Sequence, residues 1–142
     1  PLRDDVLIVK SGSTTGKSAI VETDEIFNIW SPLCILRSNQ DLILSKFLFY
    51  CVQSRFFINQ VETSWSYGTQ PNIGMGVIEN LTLLLPPKNE QQLIVDSLNE
   101  KLKYSNLLIK KNKNKKILLY EYRQSLISSL VTGKIRITED MI

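Results

Sequence analysis

Pro86-Pro87-Lys88-Asn89-Glu90-Gln91-Gln92-Leu93-Ile94-Val95 marks the point where the chain changes character. Upstream, short apolar runs are broken by turn residues. Downstream, no Gly or Pro occurs from Lys88 to Thr132, and Gly133 supplies a natural stop. Pro87 stands before the run, and Gln92 lies three residues after Asn89 in a capping-box-like arrangement. The pattern predicts a helix from Asn89 to Val131, about 63 Å long at about 1.5 Å per residue. Such a length suits a coiled-coil arm rather than an ordinary globular helix.

A seam at alternating spacings of three and four runs through Val95, Leu98, Leu102, Ser105, Ile109, Asn112, Lys116, Leu119, Arg123, Leu126 and Leu130. Its ends are apolar and its middle is polar, which lowers stability but can fix register and partner. Leu98, Leu102, Ile109, Leu119, Leu126 and Leu130 are the residues expected to meet a second helix. Lys110 to Lys116 puts positive charge almost all around the rod and either stays solvated, meets acids or divides the helix in two.

Upstream, Val6 to Lys10 and Ser18 to Glu22 are β-type runs around a polar turn, which reads as a hairpin. Leu33 to Leu36 is a third β-type run. Ser45 to Gln60 has apolar residues at helical spacing with Ser45 as N-cap. Glu62 to Gly76 reads as a loop, and Val77 to Leu85 as a strand stopped by Pro86 and Pro87.

The chain has 142 residues, 43% hydrophobic and 22% charged, ordinary values for one globular domain plus one extended element. Histidine is absent, so no Ser-His or Cys-His nucleophile can form within the chain. Cys34 and Cys51 lie among apolar neighbours and read as buried free thiols, which suits a reducing cytoplasm. No apolar run reaches the length of a bilayer span, so no membrane partner is expected. The first residues lack both a methionine and a signal-peptide pattern, which leads to the expectation of a fragment or a processed chain with part of the fold missing upstream. The net charge of +3 is unevenly spread: residues 1–89 hold seven basic against eight acidic residues, and residues 90–134 hold nine against four. A phosphate-facing surface or a solvated basic helix face would both explain that bias.

Two polar stretches carry candidate chemistry. Gly12-Ser13-Thr14-Thr15-Gly16-Lys17-Ser18 looks like a phosphate loop but has three residues, not four, between its glycines, and β-type residues follow it. It reads either as a plain turn or as a hairpin tip offering Ser13, Thr14, Thr15 and Lys17 to DNA. Ser64 to Ile73 contains Tyr67, Thr69, Gln70 and Asn72. Gln and Asn can pair two-fold with adenine, and hydroxyls reach phosphates or base edges. A packed loop with Trp65 in the core is the other reading. The acidic residues form no recognised metal spacing, so neither a metal nor a cofactor is expected.

Four stretches together resemble the specificity subunit of type I restriction-modification systems. Asp5 to Lys17 is similar to its strand and loop ending in Gly-Lys. Gly68-Thr69-Gln70-Pro71-Asn72-Ile73 is similar to its Gln-x-Asn-Ile loop. Leu84 to Val95 resembles the Pro-Pro, Glu-Gln start of its long helix, and Tyr120 to Ile135 resembles that helix's end. The resemblance follows the family's order and covers nearly the whole chain. It implies an α+β fold: a partial mixed-sheet target recognition domain over 1–88, lacking its opening, then one long coiled-coil-type helix over 89–134 as a dimerisation or spacer arm, and a tail over 135–142. It also implies a non-catalytic subunit that binds double-stranded DNA, contacts modification (methyltransferase) subunits and, through them, the restriction subunit. A full family member pairs two such helices; with one copy here, a homodimer or a second helix of a full subunit is expected to replace the pair. A coiled-coil assembly module without DNA specificity is the alternative.

Overall fold

The computed structural model describes residues 1–65 and 70–138. The chain divides into two compact units, Pro1–Ser97 and Leu98–Ile142.

The first unit is built on three short strands: β1 (Val6–Val9), β2 (Ser18–Ile20) and β3 (Leu33–Leu36), in the order β2-β1-β3. Both pairings are antiparallel: Val6 sits opposite Ile20 and Leu36, and Val9 opposite Leu33. The α+β class holds, while the sheet expected to be mixed has only antiparallel pairs among the described residues. Side chains alternate across a strand, so Val6 and Ile8 are fully buried while Leu7 and Val9 are half-buried.

Helices α1 (Ser45–Gln53) and α2 (Arg55–Thr63) supply the other side of the core. Leu48, Val52, Phe57 and Val61 gather with Val6, Ile8, Cys34, Ile73 and Ile78 in one apolar cluster. The single helix expected over Ser45 to Gln60 is therefore two. Ser54 divides them in an extended conformation: its hydroxyl donates to the Cys51 carbonyl (2.6 Å) and accepts the Phe57 N–H (3.2 Å), capping α2. Ser45 does not cap α1. It is the first helical residue, and its buried hydroxyl bonds Ser38 and Gln40. Burial pushes the Cys51 thiol up to about 11 and raises that of Cys34, so both stay protonated at neutral pH.

The strand expected over Val77 to Leu85 is absent. A single helical turn, α3 (Met75–Ile78), is followed by irregular chain. Leu81 and Leu83 do pack against the core, which explains the alternating pattern. Instead of a strand neighbour, this segment meets Gln60, whose side chain accepts the Thr82 N–H (2.9 Å) and donates to the Thr82 carbonyl (3.0 Å).

The long helix, α4 (Lys88–Val131), has 44 residues, about 66 Å at the usual rise. It starts one residue before the expected Asn89 and runs unbroken through the lysine run. The expected capping box does not form, because the Gln92 carboxamide donates to Asp96 instead (2.9 Å). The first turn is held by Gln91, which is fully buried. Its carboxamide accepts the Leu44 N–H (2.9 Å) and donates to the carbonyls of Leu42 (2.9 Å) and Pro86 (2.8 Å). At the far end, Gly133 adopts φ +71°, the left-handed conformation of a helix stop.

Gln91→Leu strands three main-chain groups in a dry site and should lower stability by about 2 kcal/mol or more. Gln92→Leu, which removes one exposed bond, should change it by less than about 0.5 kcal/mol. Urea midpoints of the two variants check this.

Candidate nucleic-acid interface

The polar turn after β1 is a tight hairpin loop. Gly12 (φ +102°) and Gly16 (φ +87°) both take left-handed conformations, which reverses the chain without strain. The Gly16 N–H bonds the Val9 carbonyl (2.8 Å), and the Val9 N–H bonds the Lys17 carbonyl (2.8 Å). At Gly16 a β-carbon would also come within 3.3 Å of the Val61 side chain, so the residue lets the loop lie against α2. Lys17 is followed by β2, not by a helix N-terminus, so the anion cradle of a phosphate loop is not formed there.

The second candidate stretch lies beside this loop. Ser11 and Asn72 form a β-bridge. The Gly12 N–H bonds the Pro71 carbonyl (3.0 Å), and the Ile73 N–H bonds the Lys10 carbonyl (2.7 Å). The Thr15 hydroxyl donates to the Gly12 carbonyl (2.7 Å) and also reaches the Pro71 carbonyl (3.2 Å). Segments 56 residues apart are thus stitched into one surface. Ile73, fully buried, anchors the stitch in the core.

Of the residues singled out in the sequence, Ser13, Thr14, Lys17, Gln70 and Asn72 are exposed on this surface. Thr15 is half-buried and holds the two loops together. Tyr67 and Thr69 lie outside the described residues. The hairpin loop and α2 enclose a cleft of about 460 Å³, lined in part by Lys17, Gln53, Glu62 and Trp65. Trp65 packs partly against the core, as the packed-loop reading expects. Its indole N–H and the Ser18 hydroxyl, both lining residues of the cleft, are buried with no hydrogen-bond partner among the described residues.

Charge is polarised along the sheet. Asp4, Asp5, Glu22 and Asp24 lie at the end where β1 starts and β2 finishes. Two arginines answer part of that charge. Arg3 bonds Asp24 (2.7 Å), and Arg37 grips buried Asp5 through two bonds of 2.7 Å. The Arg37 hydrogen bonds hold the Asp5 carboxyl below its ordinary value against the opposing effect of burial. Lys10, Lys17 and the hydroxyl-bearing loop occupy the opposite end, where the nearest carboxylate of the cleft, Glu62, is already paired with Arg55 (3.3 Å). Lys10, whose main chain joins these loops, is not among the candidates singled out in the sequence; its place directly before Ser11 was the available signal.

Among the described residues no cluster of His, Cys, Asp or Glu has the grouping of a metal site, and no helix is long and apolar enough to cross a membrane. Residues 2–119 match the model of the type I restriction modification DNA specificity domain. The chain belongs to this family. A solved structure, the HsdS subunit from Thermoanaerobacter tengcongensis, matches at 26% identity with a TM-score of 0.61, covering 84% of this chain. The chain spans 32% of that subunit's length. No curated protein matches the chain. A type I specificity domain with a small antiparallel sheet and a long C-terminal helix is therefore what the residues above belong to.

Thr15→Val removes the hydroxyl that joins the two loops. Stability should fall by about 1 kcal/mol. The Gly12 N–H should exchange with solvent markedly faster, while that of Val6 should not change until global unfolding; hydrogen exchange by NMR reads both.

Proposed function

We propose that this chain is the DNA-reading part of a non-catalytic type I specificity subunit. In this reading, residues 1–88 recognise the target, 89–134 form a dimerisation or spacer arm and 135–142 a tail. The subunit works in the cytoplasm and positions modification (methyltransferase) subunits, and through them the restriction subunit, on a specific site in double-stranded DNA. The observation that carries it is the stitched pair of loops at the basic end of the sheet. Ser13, Thr14 and Lys17 offer hydroxyls and a positive charge to phosphates, while Gln70 and Asn72 offer carboxamides to base edges. Thr15 positions them.

The arm's role rests on its exposed apolar residues. Leu102, Ile109, Leu119 and Leu126 are between 38% and 56% exposed, and Leu98 and Leu130 are half-buried. Each buried Leu or Ile stabilises by roughly 1.5–3 kcal/mol, so pairing with a second helix is strongly favoured. In an unpaired chain that gain comes from a second copy.

In the assembled enzyme, Gln70→Ala should relax sequence preference by about 1–3 kcal/mol of discrimination. Lys17→Ala should weaken binding to every duplex and flatten its salt dependence. Titrations of cognate and mixed-sequence duplexes at several salt concentrations separate the two effects. A complex that assembles but shows no sequence preference in wild-type form would point to an assembly module instead.

The purified chain should sediment as a dimer at tens of micromolar, and Leu119→Asp with Leu126→Asp should convert it to a monomer. A monomeric wild-type chain would sink the pairing proposal.

A further inference from the structure

The connector between β2 and β3 carries an apolar feature that neither the core nor the stitched loops use. Ile26 is fully exposed and Trp30 is 84% exposed, although indole is among the most costly side chains to leave in water. The connector ends at the basic end of the sheet. The Leu33 N–H bonds the Trp30 carbonyl (2.9 Å), and Val9 faces Leu33 across the strands. The Lys10 N–H bonds the Pro32 carbonyl (2.7 Å), while the Lys10 carbonyl takes the Ile73 N–H. One peptide neighbourhood thus ties Trp30-Ser31-Pro32 to both loops that carry Lys17, Gln70 and Asn72. The connector's acids, Glu22, Asp24 and Glu25, stand at its beginning, and Asp24 is neutralised by Arg3.

We propose that Trp30 is a DNA contact: an apolar indole laid against the duplex beside the base-reading loops. This rests on the DNA-reading function proposed above and adds a third contacting segment to it. Duplex DNA is the occupant the surroundings favour, because the main chain of Trp30-Ser31-Pro32 is tied to the end of the sheet that carries Lys10, Lys17 and the hydroxyl-bearing loop. Apolar wedges and aromatic platforms are a recurrent way for proteins to grip nucleic acid next to charged contacts. Contact through an uncharged ring releases no counterions, so it adds affinity without adding salt dependence.

The test uses the complete subunit assembled with its modification subunits, titrated with a short mixed-sequence duplex and with a duplex bearing the site the complex methylates. Trp30→Ala should weaken binding to both by about 10-fold, the scale of one apolar side chain removed from water. It should leave the slope of log K against log salt unchanged. Trp30→Phe, which keeps a flat apolar ring, should recover most of the loss. Sedimentation of the complex should be the same for all three. Wild-type affinity in Trp30→Ala, or an altered salt slope, would overturn the proposal. Loss of assembly would do so as well, by placing Trp30 against protein, and loss of fold by making it a packing residue. Failure of wild-type complex to bind duplex DNA would instead refute the underlying DNA-reading function.

Discussion

The main chain of Lys10 is the junction on which the surface depends. Its N–H is taken by Pro32 and its carbonyl by Ile73, so β1 cannot end without fixing the approach of two other segments. Main-chain groups are obligatory hydrogen-bonding partners, and a buried one left unpaired costs about as much as a lost bond. The hairpin loop, the Gln70–Asn72 segment and the start of β3 are therefore joined through one residue. The core supports the junction from beneath through Ile8, Cys34 and Ile73, all members of one cluster. The exposed side chains of Ser13, Thr14, Lys17 and Gln70 can then stand on the outside while the backbones beneath them are held by bonds that do not involve them.

The same division of labour governs the helix. Within Pro1–Ser97, its first turns are held by specific polar contacts from Gln91 and by burial of Val95. Beyond Leu98, its apolar residues stay largely exposed along the helix, and only local contacts such as Lys116 over the Tyr120 ring (5.8 Å) decorate it. Helix propensity alone supports long helices poorly in water, and most helical stability in proteins comes from packing of one face. The arm therefore leaves an apolar face available for the pairing proposed above. In that proposed pairing, the polar middle around Asn112 and Lys116 would fix register rather than add stability.

Much of this was legible in the residues. The three strands follow from β-type runs around turn residues, and α4 follows from the absence of Gly and Pro between Lys88 and Thr132. The break at Ser54 was not legible, because the apolar spacing continues across it and a serine's choice between solvent and backbone leaves no trace in a pattern. The false strand over Val77 to Leu85 had the right alternation of buried and exposed residues, but period two reports burial and not the presence of a neighbouring strand; Gln60 took that neighbour's place. Gln91 was invisible for a related reason: a glutamine in a first helical turn looks the same whether it faces water or a buried trio of backbone groups. The adjacency of the Gly12–Lys17 loop and the Gln70–Asn72 segment was not legible, since nothing local encodes a contact across 56 residues.

The bonds that stitch the two loops run through main-chain atoms: Gly12 to Pro71, Ile73 to Lys10, and the Ser11–Asn72 bridge. Such a frame is indifferent to the identity of most side chains mounted on it. Positions 13, 14, 17 and 70 can be exchanged for other residues without loosening the scaffold, provided Gly12, Gly16 and the Thr15 tie remain. On the proposed function, a lineage carrying this domain drifts from one target sequence to another by single codon changes. Each intermediate stays folded, so diversification of what is recognised is decoupled from the risk of losing the protein.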